Sequence, residues 1–391
     1  MSPSRIAARV RRIKPSPSTS AADRANELRR QGKSIVNLVV GEPDFDTPVH
    51  IRQAAAAAMD KGQTRYTLMA GTVELRQAIV AKLERENGLR YAMNEIIVTN
   101  GAKQGLFEAL YTMSDPGDTV LVFKPHWPAY VATSQLLGLK PILADLPDEI
   151  TPAWLDGLGK PDIVIINNPH NPTGKVYTRR ELEHLRAWVE RIGARVIVDE
   201  SYEHLIFEGR HTSLAALCDW RKIGVVTLFS ASQSYAMMGW RVGFALAPAE
   251  VVNAMQTLQG PITAAAPHLS QVAADVAFAT GTPRAMMADY RERRDLVVRL
   301  FAEVPWIVMH APDSGPYLWG DVRGLTLDTV GFAEALLEDK KVAVMPGEAL
   351  GVPGYIRLGY ISDDVATLRE GIRRIIEFGD AYAARAAAGK R

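Results

Sequence analysis

One cysteine, Cys218, stands among the 391 residues. A single thiol excludes an intrachain disulfide and a cysteine metal cluster, and it fits a reducing compartment, so the sequence predicts a cytoplasmic protein. Charge of one sign is also not in excess. Lys and Arg number 45 against 44 Asp and Glu, a net +1, which gives no electrostatic reason to expect nucleic acid or an anionic membrane as partner. No apolar run approaches the roughly 18 residues of a membrane span. The opening MSPSRIAARVRRIKPSPSTS is basic and serine-rich without the apolar core of a secretory signal, and reads as an ordered arm or, alternatively, as a transit peptide. There is no internal repeat, no low-complexity linker and nothing that reports a metal. What remains is 47% apolar and 23% charged, the balance of a globular protein, at a length that suits one large and one smaller domain.

Along the chain, Pro15 and Pro17 argue against helix in the first 20 residues, and Ala21–Gly32 reads as the first helix. Ser34–Val40 reads as a short strand, Val49–Lys61 and Val73–Asn87 as helices, and Glu95–Thr99 as a strand. From Leu106 onward helices and strands alternate: helix Leu106–Met113, strands Thr119–Phe123 and Asp162–Asn167, helix Arg179–Ile192, then strands Arg195–Asp199 and Val225–Phe229. That alternation predicts an α/β fold with a mainly parallel sheet and sites at the strand C-terminal ends. A helical stretch near Tyr290–Val304 precedes a smaller α+β part.

Each stretch of chemical interest falls at such a strand end. SASQSYAMMGWRVG, Ser230 to Gly243, places two hydroxyls, Ser230 and Ser232, and a glycine-flanked cation, Arg241, after an apolar strand. Such a set makes a phosphate pocket, or simply a polar loop. Asn100-Gly101-Ala102-Lys103 opens a helix, where free N–H groups hold an anion, though a plain strand-to-helix turn has the same composition. NNPHNPTG (Asn167 to Gly174) is a proline-rich loop, and Asp199 ends the strand RVIVD with Tyr202 three residues on. An Asp there is by default a helix cap, and Trp127 in KPHWPAY is by default a packing residue.

Taken together these motifs resemble the fold-type I pyridoxal-phosphate enzymes, in particular the aspartate-aminotransferase family, from KPS at Lys14 to RLGY at Arg357. The resemblance implies a seven-stranded, mainly parallel sheet in a large domain, 46–284, and a smaller α+β domain, 1–45 with 285–391, closing over the substrate. It implies phosphate contacts from Gly101, Ala102, Lys103, Ser230, Ser232 and Arg241, and a ring stacked on Trp127. Asp199 would face the ring nitrogen, and Asn171 and Tyr202 the ring oxygen. A carboxylate there keeps the nitrogen protonated, which makes the ring an electron sink. Arg357 would clamp the substrate α-carboxylate, a task suited to a planar guanidinium, with Asn171 and Gly41 beside it. Tyr66 would reach the phosphate of a neighbouring subunit, which implies a homodimer with shared sites. KPSPS, Lys14 to Ser18, and the turn lysine resemble the KPSxT and Gly-Gly-Lys of the bacterial aspartate/prephenate branch, which implies Ser16, Ser18 and Lys103 as contacts for a distal carboxylate; Ser16 and Ser18 also read as ordinary serines of a terminal arm. Substrates would be a dicarboxylic L-amino acid and a 2-oxo acid.

One position departs from the family. Where its cofactor lysine stands, this chain has Gln233. A glutamine amide is neither nucleophilic nor basic, so it neither bonds the cofactor nor moves the substrate proton. Pyridoxal or pyridoxamine phosphate would then be held noncovalently and turnover impaired. Three explanations stay open: a deliberate lysine replacement, a natural paralogue using the cofactor without that lysine, or a binding protein without catalysis.

Overall fold

A computed structural model describes residues 6–11 and 17–388. Its centre, among the described residues, is a seven-stranded sheet. In spatial order the strands are Ile96–Thr99, Gly243–Leu246, Val225–Ser230, Arg195–Asp199, Ile163–Asn167, Thr119–Lys124 and Lys140–Asp145. The last five run parallel, whereas Gly243–Leu246 is antiparallel to both its neighbours. The parallel expectation therefore holds for the body of the sheet.

Alternate residues of each strand enter two different cores. Val98, Phe123, Val164, Val198 and Phe229 pack on one face with helices Val49–Asp60 and Arg179–Ile192. Ile97, Val122, Ile165, Ile197 and Leu228 pack on the other, under helix Ala102–Met113. A sheet covered on both faces needs unbroken apolar strands, which is what IIVT and IVII supply. The outermost strand, Lys140–Asp145, is mostly exposed and lacks this signature, which is why it is not apparent in the sequence.

A third core gathers Val36, Leu38, Tyr290, Phe332, Ile356 and Phe378 around an antiparallel sheet of Met345–Pro346, Tyr355–Gly359, Tyr317–Asp321 and Val308–Met309. Val36–Asn37 pairs in parallel with Val342–Ala343, tying the early chain to the late chain.

Three expectations shift. The first long helix is Pro17–Arg30 rather than one beginning at Ala21, since proline at a helix start loses no hydrogen bond. The strand predicted over Ser34–Val40 shortens to Val36–Asn37, because pairing with Val342–Ala343 covers only two residues. The late helix runs Arg284–Phe301, earlier than Tyr290–Val304, with Pro283 preceding its first turn. Among the described residues no helix is long and apolar enough to cross a membrane, and no group of three or more His, Cys, Asp or Glu is arranged to hold a metal ion.

Candidate active site

The C-terminal ends of the central strands converge on two adjoining clefts. The smaller, ≈ 180 Å³, is lined by Ala102, Lys103, Trp127, Asn171, Asp199, Tyr202, Ser230, Ser232, Gln233 and Arg241, among others. The larger, ≈ 380 Å³, is lined by Gly41, Trp127, Gln233, Tyr317 and Arg357, with Val39, Met238 and Met345 forming an apolar wall. Trp127 and Gln233 line both, so they sit at the junction.

The floor of the smaller cleft is Asp199, 5% exposed at the end of its strand and paired in register with Asn167. Its carboxylate accepts hydrogen bonds from the Tyr130 hydroxyl at 2.8 Å, the Ser201 hydroxyl at 2.6 Å and the Ser201 amide at 3.0 Å. All three donors are neutral. Burial therefore raises the Asp199 pKa, against the pull of those hydrogen bonds. A buried anion bonded only by neutral donors is poised for a cationic partner.

The opposite end of this cleft is cationic. Gly101, at φ +73°, caps helix Ala102–Met113, and a Cβ there would come within 2.7 Å of Arg241 Nη2. Only glycine admits both that dihedral and the arginine. Arg241 itself takes φ +53° and Ala236 φ +50°, left-handed values that cost a non-glycine residue roughly 1 kcal/mol or more. The guanidinium is held by the Met238 carbonyl at 2.7 Å. Lys103 stands at the mouth with its ammonium 5.2 Å from the Trp127 ring centroid. Loss of surrounding water, then the Arg241 charge, lower its pKa. The Gly101 amide, which the resemblance places at a phosphate, donates to the Thr99 carbonyl at 2.8 Å.

In the larger cleft Arg357 is 4% exposed. It donates to the Asn171 side-chain oxygen at 3.2 Å and the Val39 carbonyl at 2.7 Å, and lies 3.8 Å from the Tyr317 ring centroid. Its Nε is buried without a partner. Gly41 packs so closely on Tyr317 that a Cβ would come within 2.6 Å of the ring. Asn171 also donates to the Tyr202 hydroxyl at 3.4 Å. Burial raises the pKa of that phenol well above its usual value, with Tyr317 the next cause.

The residues singled out by sequence thus meet at one place, with three exceptions. Tyr66 is 94% exposed and lines a separate groove with Thr64, Thr263 and His268. Ser16 lies outside the described residues, as does the side chain of Ser18. Sequence reasoning missed Tyr130, Ser201, Met238, Tyr317 and Met345. Tyr130 alone carried a signal, three residues after Trp127 in the same loop.

The donor set suits an anion at one end and a protonated ring at the other, so it fits pyridoxal phosphate in all respects but one. Nothing at position 233 bonds that group covalently.

Comparison with known proteins agrees. Residues 33–375 match the model of the family described as aminotransferase class I and II. An aspartate/prephenate aminotransferase of Nitrosomonas europaea is 34% identical over 95% of this chain and 98% of its own length. The bifunctional aspartate aminotransferase and glutamate/aspartate-prephenate aminotransferase of Petunia hybrida is 35% identical over 95% and 82%. Among solved structures, the aspartate aminotransferase of Rhizobium meliloti superposes with a TM-score of 0.90 at 33% identity, covering 96% of this chain and 99% of that one. That of Thermus thermophilus with maleate gives 0.88 at 34% identity, covering 95% and 99%. The chain belongs to the class I and II aminotransferases, pyridoxal-phosphate-dependent transferases of fold type I.

Proposed function

We propose that this chain binds pyridoxal or pyridoxamine phosphate noncovalently together with a dicarboxylic L-amino acid, and that Gln233 leaves it impaired as an aminotransferase. The observation that carries the reading is the convergence of Asp199, Asn171, Tyr202, Arg241 and Gln233 on one cleft, with Arg357 in the next. Ala102, Lys103, Ser230, Ser232 and Arg241 hold the phosphate, and Trp127 covers the ring. Asp199 would hold the protonated ring nitrogen, and Asn171 and Tyr202 would face the ring oxygen. When bound, the group supplies an electron sink for bond cleavage at the amino acid's α-carbon.

Arg357 binds the α-carboxylate, and its unpartnered buried Nε marks unused donor capacity there. Lys103, at the cleft mouth, is the cation available to a distal carboxylate, and Ser16 and Ser18 would assist it. A dicarboxylate, maleate, is named with the Thermus thermophilus relative. Gln233 positions nothing nucleophilic and takes no proton, so the proton at the α-carbon has no acceptor where the family has its lysine. Residues 46–284 would form the cofactor domain and 1–45 with 285–391 the part that closes on substrate. The exposure of Tyr66 suits a homodimer in which it completes the partner's site, in a cytoplasmic protein.

The test is a transamination assay with L-aspartate and 2-oxoglutarate on this chain and its Gln233→Lys form. Activity confined to the lysine form, higher by about 10² to 10⁴, is expected. Activity in neither form sinks the aminotransferase reading and leaves a binding protein.

A further inference from the structure

The turn Asn100–Ala102 is braced from beneath by two side chains that touch no part of either cleft. Gln104 and Glu108 lie one helical turn apart on helix Ala102–Met113, on the same face. The Gln104 carbonyl oxygen accepts from the Asn100 amide at 2.7 Å and from the Asn100 side chain at 2.5 Å. Its Nε2 donates to Glu108 Oε1 at 2.7 Å and to the Thr263 hydroxyl at 2.8 Å. Both ends of this amide are therefore fully used. A flipped amide would set its NH₂ against two Asn100 donors and its oxygen against a carboxylate, losing both Asn100 bonds and the Glu108 bond. The Asn100 amide, which can only donate, fixes the orientation, and Glu108, whose pKa burial pushes up to about 7, accepts from the Nε2 that this leaves facing it. The position of Glu108 is otherwise costly: it has no exposed surface, and its second oxygen has no partner.

With Asn100 pinned, its carbonyl faces Arg241 Nη2 at 3.5 Å, and Thr99 Oγ1 donates to the Gly101 carbonyl at 3.0 Å. The strand end, the arginine and the helix start are thus fixed by one network.

We propose that Gln104 and Glu108 are positioning residues for the phosphate turn, Glu108 anchoring the far end of the Gln104 amide and Gln104 holding Asn100 so that the Ala102 and Lys103 amides converge on a phosphate. This inference rests on the reading that the turn binds a phosphate. The Gln104 bond to Thr263 also reaches the edge of the groove beside Tyr66, so the brace spans from one site to the other.

The experiment compares pyridoxal phosphate with pyridoxal, which lacks the phosphate, by calorimetry on the full chain at one pH. Measured above pH 7, where Glu108 carries its charge, Glu108→Gln keeps the shape but not the charge that strengthens the bond to Gln104, and Gln104→Leu removes the strut. Each is expected to weaken pyridoxal phosphate about tenfold, the size of one positioned hydrogen bond, and to leave pyridoxal unchanged. Adding Glu108→Gln to Gln104→Leu should cause no further loss, since Glu108 acts through Gln104. Variants that keep the wild-type preference for the phosphorylated form, or losses that add in the double variant, overturn the inference. A wild-type protein indifferent to the phosphate overturns both this inference and the reading beneath it. If Gln104→Leu does not fold, Glu108→Gln alone decides, with its melting temperature as the control for general damage.

Discussion

Replacing Asp199 with asparagine should stabilise the ligand-free protein while weakening its hold on the cofactor. The geometry permits a nearly isosteric exchange. The new amide oxygen can still accept from the Ser201 amide and hydroxyl, now at 3.0 and 2.6 Å, while its NH₂ turns to the Tyr130 oxygen, now at 2.8 Å as a donor. Three hydrogen bonds survive and only the charge is lost. Burial raises the Asp199 pKa, so folding disfavours its charged form. For such a group the stability contribution is present at low pH and is lost as pH rises through the folded pKa. At neutral pH the charged Asp199 is therefore a burden that the Asp199→Asn substitution would remove. A gain of up to about 1 kcal/mol corresponds to about 1–2 °C in Tm for a chain of this size. The ligand pays the difference: a charge-assisted contact to a protonated ring, about 1.5–3 kcal/mol, is gone, so Kd should rise roughly 10- to 150-fold. Differential scanning calorimetry of the empty protein and titration with pyridoxal phosphate measure the two effects. A drop in Tm of several degrees, or an unchanged Kd, would refute the reasoning.

Borohydride reduction with pyridoxal phosphate and no amino acid should leave the chain unlabelled in peptide mass mapping; a label on Lys103, Lys175 or Lys222 would mean that another lysine replaces the missing one. Arg357→Lys should weaken amino-acid binding about tenfold or more, because a point cation cannot keep the Asn171 and Val39 bonds and also grip a carboxylate in a fork, while titration with the cofactor alone should be unaffected. Glu200, pushed up to about 8 by burial and then by Glu203, is held as the neutral acid. Its contribution is full below the unfolded value of 4.5 and is lost as pH rises through about 8, so Glu200→Gln should flatten the alkaline decline of Tm; a decline of the same steepness would contradict this sign.

The cleft around Asp199 and Arg241 was legible because its residues sit in short runs tied to strand ends. RVIVD announces both a buried strand and the carboxylate at its tip, and the structure keeps both. The substrate end was less so. Tyr317, Met238 and Met345 reach the larger cleft from three separated segments, and no local pattern joins them. Strand Gly243–Leu246 was missed because it begins with a glycine and four residues carry too little periodicity. The buried partners of Asp199 were missed for a related reason: a hydroxyl becomes a ligand only when the fold brings Tyr130, 69 positions away, to the strand tip.

Gly243 pairs with Ser230 on one side and with Thr99 on the other. The segment that leaves the sheet at Ser230 and carries Ser232, Gln233 and Arg241 is thus clamped at both ends in the same layer of hydrogen bonds. A loop anchored in this way owes its path to its ends and to the bent backbone at Ala236 and Arg241, and little to the side chain at position 233. Reactivity and architecture are consequently separable along this stretch: one residue can gain or lose an amine while the anion pocket on either side keeps its form. For the same reason a scaffold of this kind can drift between turnover and mere capture by a single codon, and design can move it back by the same step.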